Sequence, residues 1–257
     1  MNGLSLFTGS GIGELAFKHI LPDYRTIGYV EWDTYCQSIL RARIRDGILD
    51  DAPIFGDIRQ FNKRYASLYT GRVDWLSGGF PCQPFSVAGR RAGEADERNM
   101  WPATRDAISI IRPPYVFLEN VPGLLTTGYE RRIFADLAEI GYDCEWDVVP
   151  AAFVGAIHFR ERLWILAYAT SYRLDAVFTK DNGSKGERPR PSQWCEDWES
   201  VTVGSESVAI RRGWGYPPEP VRMVDGIPNQ LDRLRACGNG WVPQVVARIL
   251  QVTNTEK

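Results

Sequence analysis

The sequence predicts an α/β protein whose largely parallel sheet carries helices on both faces. Three observations carry this reading. Short, near-continuous apolar runs such as "VDWLSGG", "YVFLEN" and "RLWILAYA" recur along the first 170 residues. Longer helix-compatible stretches separate them, and strands apolar on both sides belong to a sheet covered on both faces. The first run, "GLSLF", ends in "TGSGIG", a glycine-rich passage from a strand into a helix.

Taken in order, "GLSLF" reads as the first strand and residues 13–20 as a helix. "RTIGYVE" reads as a second strand, followed by a helix near 33–46. "VDWLSGG" and "YVFLEN" are buried strands. "YDCEWDVV" differs, because Tyr142, Cys144, Trp146 and Val148 alternate with polar residues. That pattern suits a half-exposed strand paired antiparallel with "RLWILAYA". Residues 171–220 lose this order and read as an irregular insert rich in Gly, Ser, Pro, Arg and Glu. Val242, Val245, Val246, Ile249 and Leu250 then mark a closing helix.

Composition narrows the class. With 257 residues and nine tryptophans, the chain can bury a sizeable core. A net charge of −2 exerts no global pull on nucleic acid, so any such contact must come from local cations. The five cysteines include no C-x-x-C pair and only two histidines accompany them, which supports neither a disulfide framework nor a metal site. No apolar run is long enough to cross a membrane, and the first residues lack the basic flank of a signal peptide. The expectation is a cytoplasmic protein without metal.

Several short stretches carry chemistry. In "LFTGSGIG", Gly9, Gly11 and Gly13 give G-x-G-x-G, which departs from the G-x-G-x-x-G of dinucleotide sites. A tight turn without a ligand would look the same. Glu31 ends the second strand some twenty residues further on, where an acid accepts bonds from ribose hydroxyls. Trp32 offers a face for an adenine ring. Asp57 follows Gly56 near the mouth of the next strand, as a ligand contact or as a simple turn aspartate. Together these residues fit an adenosine-containing ligand at the carboxyl edge of the sheet, S-adenosylmethionine in particular.

"SGGFPCQPFS" displays Cys82 between two prolines on a loop opening at that same edge. A thiolate is intrinsically nucleophilic, whereas a free cysteine in a core is inert. Glu119 and Asn120 end the "YVFLEN" strand, as site residues or as a cap for the next helix. In "HFRERLW", His158, Arg160 and Arg162 would face one side if the stretch is extended, into a site or simply into solvent. These pieces suit attack on a pyrimidine. A thiolate adding to carbon 6 of cytosine activates carbon 5, and a carboxylic acid at ring nitrogen 3 stabilises the charge created. The target atom lies inside the duplex stack, so the base must be extruded.

In combination, these motifs resemble the DNA (cytosine-5)-methyltransferase family over about residues 3–168 and 221–250. The resemblance implies a Rossmann-like class I S-adenosylmethionine-dependent methyltransferase sheet. It implies Cys82 as nucleophile and Glu119 on the extruded cytosine, with Arg160 and Arg162 near the base and its phosphates. "LFTGSGIG", "VEWD", "GDI" and the final "GNG" would hold the cofactor through Phe7, Gly9, Gly11, Glu31, Trp32, Asp57, Ile58, Asn239 and Gly240. Gln83, Ser86, Arg90, Arg91, Arg98 and His158 would touch double-stranded DNA, with residues 87–99 closing as a lid. The product would be S-adenosylhomocysteine and the enzyme a monomer; a cognate restriction enzyme is a partner that no residue identifies. The chain departs from the family pattern at Ser5, where an acid is usual, and at Ile12, His158 and Trp241.

The implied organisation is a catalytic and cofactor-binding domain over 1–169, a small target-recognition module over 170–220 and a C-terminal segment, 221–257, returning to the first domain. Basic and acidic residues balance at eight each across 171–222, so the module is not a simple basic arm. Arg188, Arg190, Arg211 and Arg212, with Trp194, Trp198 and Trp214, are its candidates for phosphate and base contacts, or solvated charges and packing tryptophans of a folded loop. Three other readings remain: a nucleotide-dependent oxidoreductase with a reactive cysteine, a catalytically impaired DNA-binding relative acting as a regulator or accessory protein, and an enzyme acting on RNA.

Overall fold

Seven strands form one sheet in the order β3-β2-β1-β4-β5-β7-β6. They are β1 (Asn2–Leu6), β2 (Arg25–Val30), β3 (Ile54–Phe55), β4 (Trp75–Gly79), β5 (Tyr115–Asn120), β6 (Tyr142–Pro150) and β7 (Glu161–Ala169). The computed structural model describes residues 1–81, 99–156, 158–170, 198–203, 206–211, 232, 236 and 239–254. Neighbours from β3 through to β5 pair in parallel, and β7 runs antiparallel to both β5 and β6. The antiparallel pairing of β6 with β7 agrees with the alternation of "YDCEWDVV". As the outer strand, β6 needs only one apolar face, and Trp146 stacks on Phe134 with ring centroids 5.9 Å apart.

Helices α1 (Ile12–Ile20), α2 (Thr34–Arg45), α3 (Ile58–Arg64), α4 (Trp101–Ile111), α5 (Gly123–Thr127), α6 (Glu130–Glu139) and α7 (Pro243–Asn254) cover the sheet. Their boundaries follow local chemistry. Asp33 and Asp57 cap α2 and α3 by accepting from the backbone N–H groups of Cys36 and Arg59. At the other end of α4, Arg112 adopts a left-handed φ of 57° and two prolines prevent the helix from continuing.

Strand side chains alternate between two cores. On one face Leu4, Leu6, Leu76, Val116, Leu118 and Ile165 pack with residues of α3, α4 and α6. On the other, Trp75, Phe117 and Trp164 pack with Phe17 of α1 and with Val245, Val246, Ile249 and Leu250 of α7. The terminal helical pattern thus brings the end of the chain back onto α1.

The irregular reading of 171–220 requires a correction. Trp198–Val203 (β8) and Glu206–Arg211 (β9) pair antiparallel as a separate two-stranded sheet. The signal was present in "VTVGSESVAI", where Gly-Ser separates two β-branched runs, a hairpin pattern.

Candidate active site

The strand order reverses between β1 and β4, and open α/β sheets bind ligands beyond the strand ends at such a switch point. Register carries the motifs to this one edge. Leu6 pairs with Val30 and Gly78, and Gly79 with Glu119. Because β7 runs the other way, its first residues arrive at the same edge, with Leu163 opposite Asn120. A cavity of about 390 Å³ opens there, a size typical of small-molecule sites. Its wall includes the loop after β1, Glu31, Gly79–Pro81, Glu119, Arg160, Arg162 and Asn239–Trp241.

One half of the cavity is a backbone cradle. Phe7 turns the chain out of β1 with φ 52°, a left-handed conformation that costs a non-glycine residue about 1 kcal/mol or more. Gly9 follows at φ 58°, and a Cβ built on it would meet nothing within 4 Å. Its backbone N–H donates to Glu31 Oε2 at 2.6 Å, and that of Asp33 donates to Oε1 at 2.7 Å. Glu31 is thereby fixed, with acceptor capacity left for hydroxyl donors. Burial raises its pKa, opposed by those two N–H groups. Beside it, Ser10 Oγ is buried with no hydrogen-bond partner among the described residues. An open glycine, an anchored acid and an unpaired hydroxyl together offer donors and acceptors to a polar ligand.

Beneath the cradle, Glu14 is 4% exposed and accepts from Tyr24 Oη at 2.8 Å and Ser77 Oγ at 2.9 Å. Ser5 also bonds to it. Ser5 on β1 and Glu14 on α1 are thus joined beneath the loop. Burial raises the Glu14 pKa against these hydroxyl donors.

The other half of the cavity holds charge. Arg162 Nε donates to Glu119 Oε1 at 2.8 Å. Arg160 Nη2 donates to the Gly240 carbonyl at 2.6 Å, tying the strand to the loop before α7. Burial raises the Glu119 pKa, opposed chiefly by the charges of Arg162 and then Arg160. Burial likewise lowers the Arg160 pKa. Asn120, 3% exposed, does not cap α5; its Nδ2 donates to the Phe80 carbonyl at 3.1 Å and its Oδ1 accepts from Val121 N at 2.8 Å. It therefore clamps β5 to the segment that passes through Pro81 to Cys82.

The extended reading of 158–162 is also corrected. Strand β7 begins at Glu161, and Arg160 has φ 30°, so the chain kinks there. Arg160 and Arg162 still reach the cavity, whereas His158 lies outside its wall. Of the cofactor residues, Phe7, Gly9, Glu31, Asn239 and Gly240 line the cavity, and Gly11, Trp32, Asp57 and Ile58 do not. Gly11 packs under α2, where a Cβ would come within 2.6 Å of Leu49 Cδ1. Trp32 is 69% exposed beside Glu31, with its ring available at the surface. The Asp57 carboxylate caps α3 and pairs with Arg59, whose hydrogen bond lowers its pKa; Ile58 is buried in the core. Cys82, Gln83, Ser86, Arg90, Arg91, Arg98, Arg188, Arg190, Trp194, Arg212 and Trp214 lie outside the described residues.

Sequence reasoning passed over Ser10, Glu14 and Trp241 as site residues; the sequence offers Asn120 as a site residue or a helix cap, and the cap of the next helix is Pro122 instead. Glu14 could have been found, since an acid one turn into an apolar helix after a glycine loop points at the loop's underside. Trp241 was visible as an oddity after Gly-Asn-Gly, without a partner to explain it.

A seven-stranded sheet in this order, with one antiparallel strand inserted beside β5, is the fold of class I S-adenosylmethionine-dependent methyltransferases. Solved structures share it. A putative DNA modification methyltransferase encoded within a prophage of E. coli superposes with a TM-score of 0.54 at 23% identity, over 68% of this chain and 48% of the other. A mutant DNMT2 of Spodoptera frugiperda gives 0.52 at 19%, over 68% and 51%. At the level of sequence, the family model of the C-5 cytosine-specific DNA methylases matches residues 1–207, and the chain belongs to that family. It is 28% identical over 222 residues to the type II methyltransferase M.CviJI of Paramecium bursaria Chlorella virus IL3A, covering 85% of this chain and 57% of that protein. It is 32% identical over 167 residues to the orphan methyltransferase M.Rho11sI of Bacillus phage rho11s, covering 63% and 32%. The chain thus spans between about a third and just over half the length of these relatives.

Proposed function

We propose that this protein methylates carbon 5 of a cytosine rotated out of double-stranded DNA, through a transient bond between Cys82 Sγ and carbon 6. The observation that carries the proposal is the meeting of Glu119 and its two arginines with the Gly9–Glu31 cradle in a single cavity, whose described wall includes Pro81, the residue before Cys82 in the sequence. When bound, S-adenosylmethionine would supply the electrophilic methyl group, leaving S-adenosylhomocysteine. The cradle would hold it through the Glu31 carboxylate, the open side of Gly9 and Ser10 Oγ.

The chain's own groups do the rest. The Cys82 thiolate adds to carbon 6, and the displaced electron pair is taken up toward nitrogen 3. Glu119 in its acid form gives its proton to that nitrogen, which burial favours by raising its pKa. Arg162 orients the carboxyl group, and Arg160 keeps a second cation at the base. After carbon 5 has been alkylated, its proton passes to water. The carbon–sulfur bond breaks to restore the thiolate, and nitrogen 3 returns its proton to Glu119. Asn120 holds the stem of the cysteine loop throughout.

Duplex DNA carrying 5-fluorocytosine tests this, because fluorine in place of the departing proton stops the reaction at the covalent adduct. With S-adenosylmethionine present, the protein should be trapped on DNA. Cys82→Ser should abolish trapping and Glu119→Gln should slow it strongly. Trapping by the serine variant would overturn the mechanism. Tight DNA binding with no trapping by the wild type would favour an accessory protein instead.

A further inference from the structure

Trp241 sits where the loop before α7 meets the catalytic edge, and four groups fix its indole. A Cβ on Gly13 would lie 2.5 Å from its Cε3, so α1 leaves a slot for the ring. A Cβ on Gly79 would lie 3.0 Å from its Nε1 and 2.9 Å from Glu119 Oε2, so the end of β4 leaves a second slot. Phe117 and Trp164 meet the ring edge-on, with centroids 5.7 and 5.3 Å away. Held this way, the indole Nε1 and Glu119 Oε2 face the same space beside Gly79, and the indole N–H favours the ionised carboxyl. An indole nitrogen can only donate, and the space beside Gly79 brings it to the Oε2 side while Arg162 holds Oε1.

We propose that Trp241 is a positioning residue for Glu119: its indole N–H and Arg162 grip the carboxyl group from two sides and fix its plane toward the target base. The proposal rests on the reading that Glu119 meets that base. It explains two departures from the family pattern together. Ile12 shifts the third glycine to position 13, and Gly13 is where a side chain would collide with Trp241. A large residue at 241 therefore demands a bare position on α1. The same loop accepts Arg160 through the Gly240 carbonyl, so one short segment steadies both the acid and a cation beside it.

The test is Trp241→Phe, which retains most of the packing and removes the donor. Arg162 and Arg160 are the charged groups acting on Glu119 among the described residues, and both remain. Cofactor affinity measured by calorimetry should stay within about twofold, and kcat for methyl transfer should fall about tenfold, the scale of one hydrogen bond to a charged group. The N–H favours the carboxylate, so its loss raises the Glu119 pKa. The alkaline limb of the kcat–pH profile should therefore move to higher pH. An unchanged kcat and limb, or a loss of kcat without movement of the limb, would overturn the proposal.

A second measurement needs no folded variant at position 241. In the ¹⁵N spectrum of the wild type, one indole resonance should titrate with pH, and the Glu119→Gln protein should hold it constant. Indole resonances independent of pH in both proteins would overturn the contact. Wild-type activity in Glu119→Gln would instead remove the underlying reading of the acid, so the two failures are separate.

Discussion

Asn120→Ala is the perturbation whose cost follows most directly from the structure. The amide is 3% exposed and makes two hydrogen bonds, to the Phe80 carbonyl and from the Val121 N–H. Alanine removes both; the bond to the Phe80 carbonyl is buried, whereas that from the Val121 N–H is only partly so. A buried group left unpaired costs about 1–3 kcal/mol, so the variant should lose about 1–3 kcal/mol of stability. A polar surface asparagine would cost less than about 0.5 kcal/mol. Urea unfolding followed by circular dichroism separates these cases. Activity should suffer beyond stability, because Phe80 stands two residues before Cys82 and its carbonyl is the clamped point. At temperatures where the variant is fully folded, its rate of trapping on 5-fluorocytosine DNA should fall about tenfold. A stability loss below about 0.5 kcal/mol, or an unaltered trapping rate, would refute the reasoning that the asparagine braces the cysteine loop.

The remaining predictions concern the acids and the arginine. Glu31→Gln should weaken S-adenosylmethionine about tenfold in calorimetry, because the amide gives up a charged acceptor held between two backbone N–H groups. Glu14→Gln should alter the pH dependence of folding. The folded-state pKa of Glu14 is raised above its ordinary 4.5, so its contribution is fully present below that value and is lost as pH rises through the folded pKa. The stability of wild type relative to Glu14→Gln should then decline with rising pH, and a constant difference would contradict the burial argument. Arg162→Lys should lower kcat about tenfold while leaving cofactor affinity unchanged, since an ammonium cannot reproduce the directed Nε–H bond to Glu119. Equal single-turnover rates for Arg162→Lys and wild type would count against its orienting role.

Much of the fold was legible because the signals were local. "VDWLSGG" and "YVFLEN" are apolar on both sides, and strands of that kind can only pair within a covered sheet. "YDCEWDVV" announced its edge position through alternation. The hairpin at 198–211 was missed because the flanking Gly, Pro and charge outweighed a short β-branched signal. The meeting of Gly9 and Glu31 was readable for the same reason as the strands: they stand at the ends of neighbouring parallel strands, whose carboxyl ends share one edge. Asp57 was ambiguous because capping a helix and meeting a ligand place the same demand on a turn aspartate; here its carboxylate is engaged by Arg59. What could not be read was contact across the sheet. The partnership of Trp241 with Gly13 joins residues more than two hundred positions apart, and no spacing rule relates them. The kink at Arg160 is likewise set by the loop it must reach, not by its own sequence.

The central claim, that the methyl group arrives at carbon 5 of cytosine, is tested most directly by digesting methylated DNA to nucleosides and identifying the product by mass spectrometry. The account predicts 5-methyldeoxycytidine and its disappearance with Cys82→Ser. A methyl group on adenine, or on the exocyclic amine of cytosine, would contradict it.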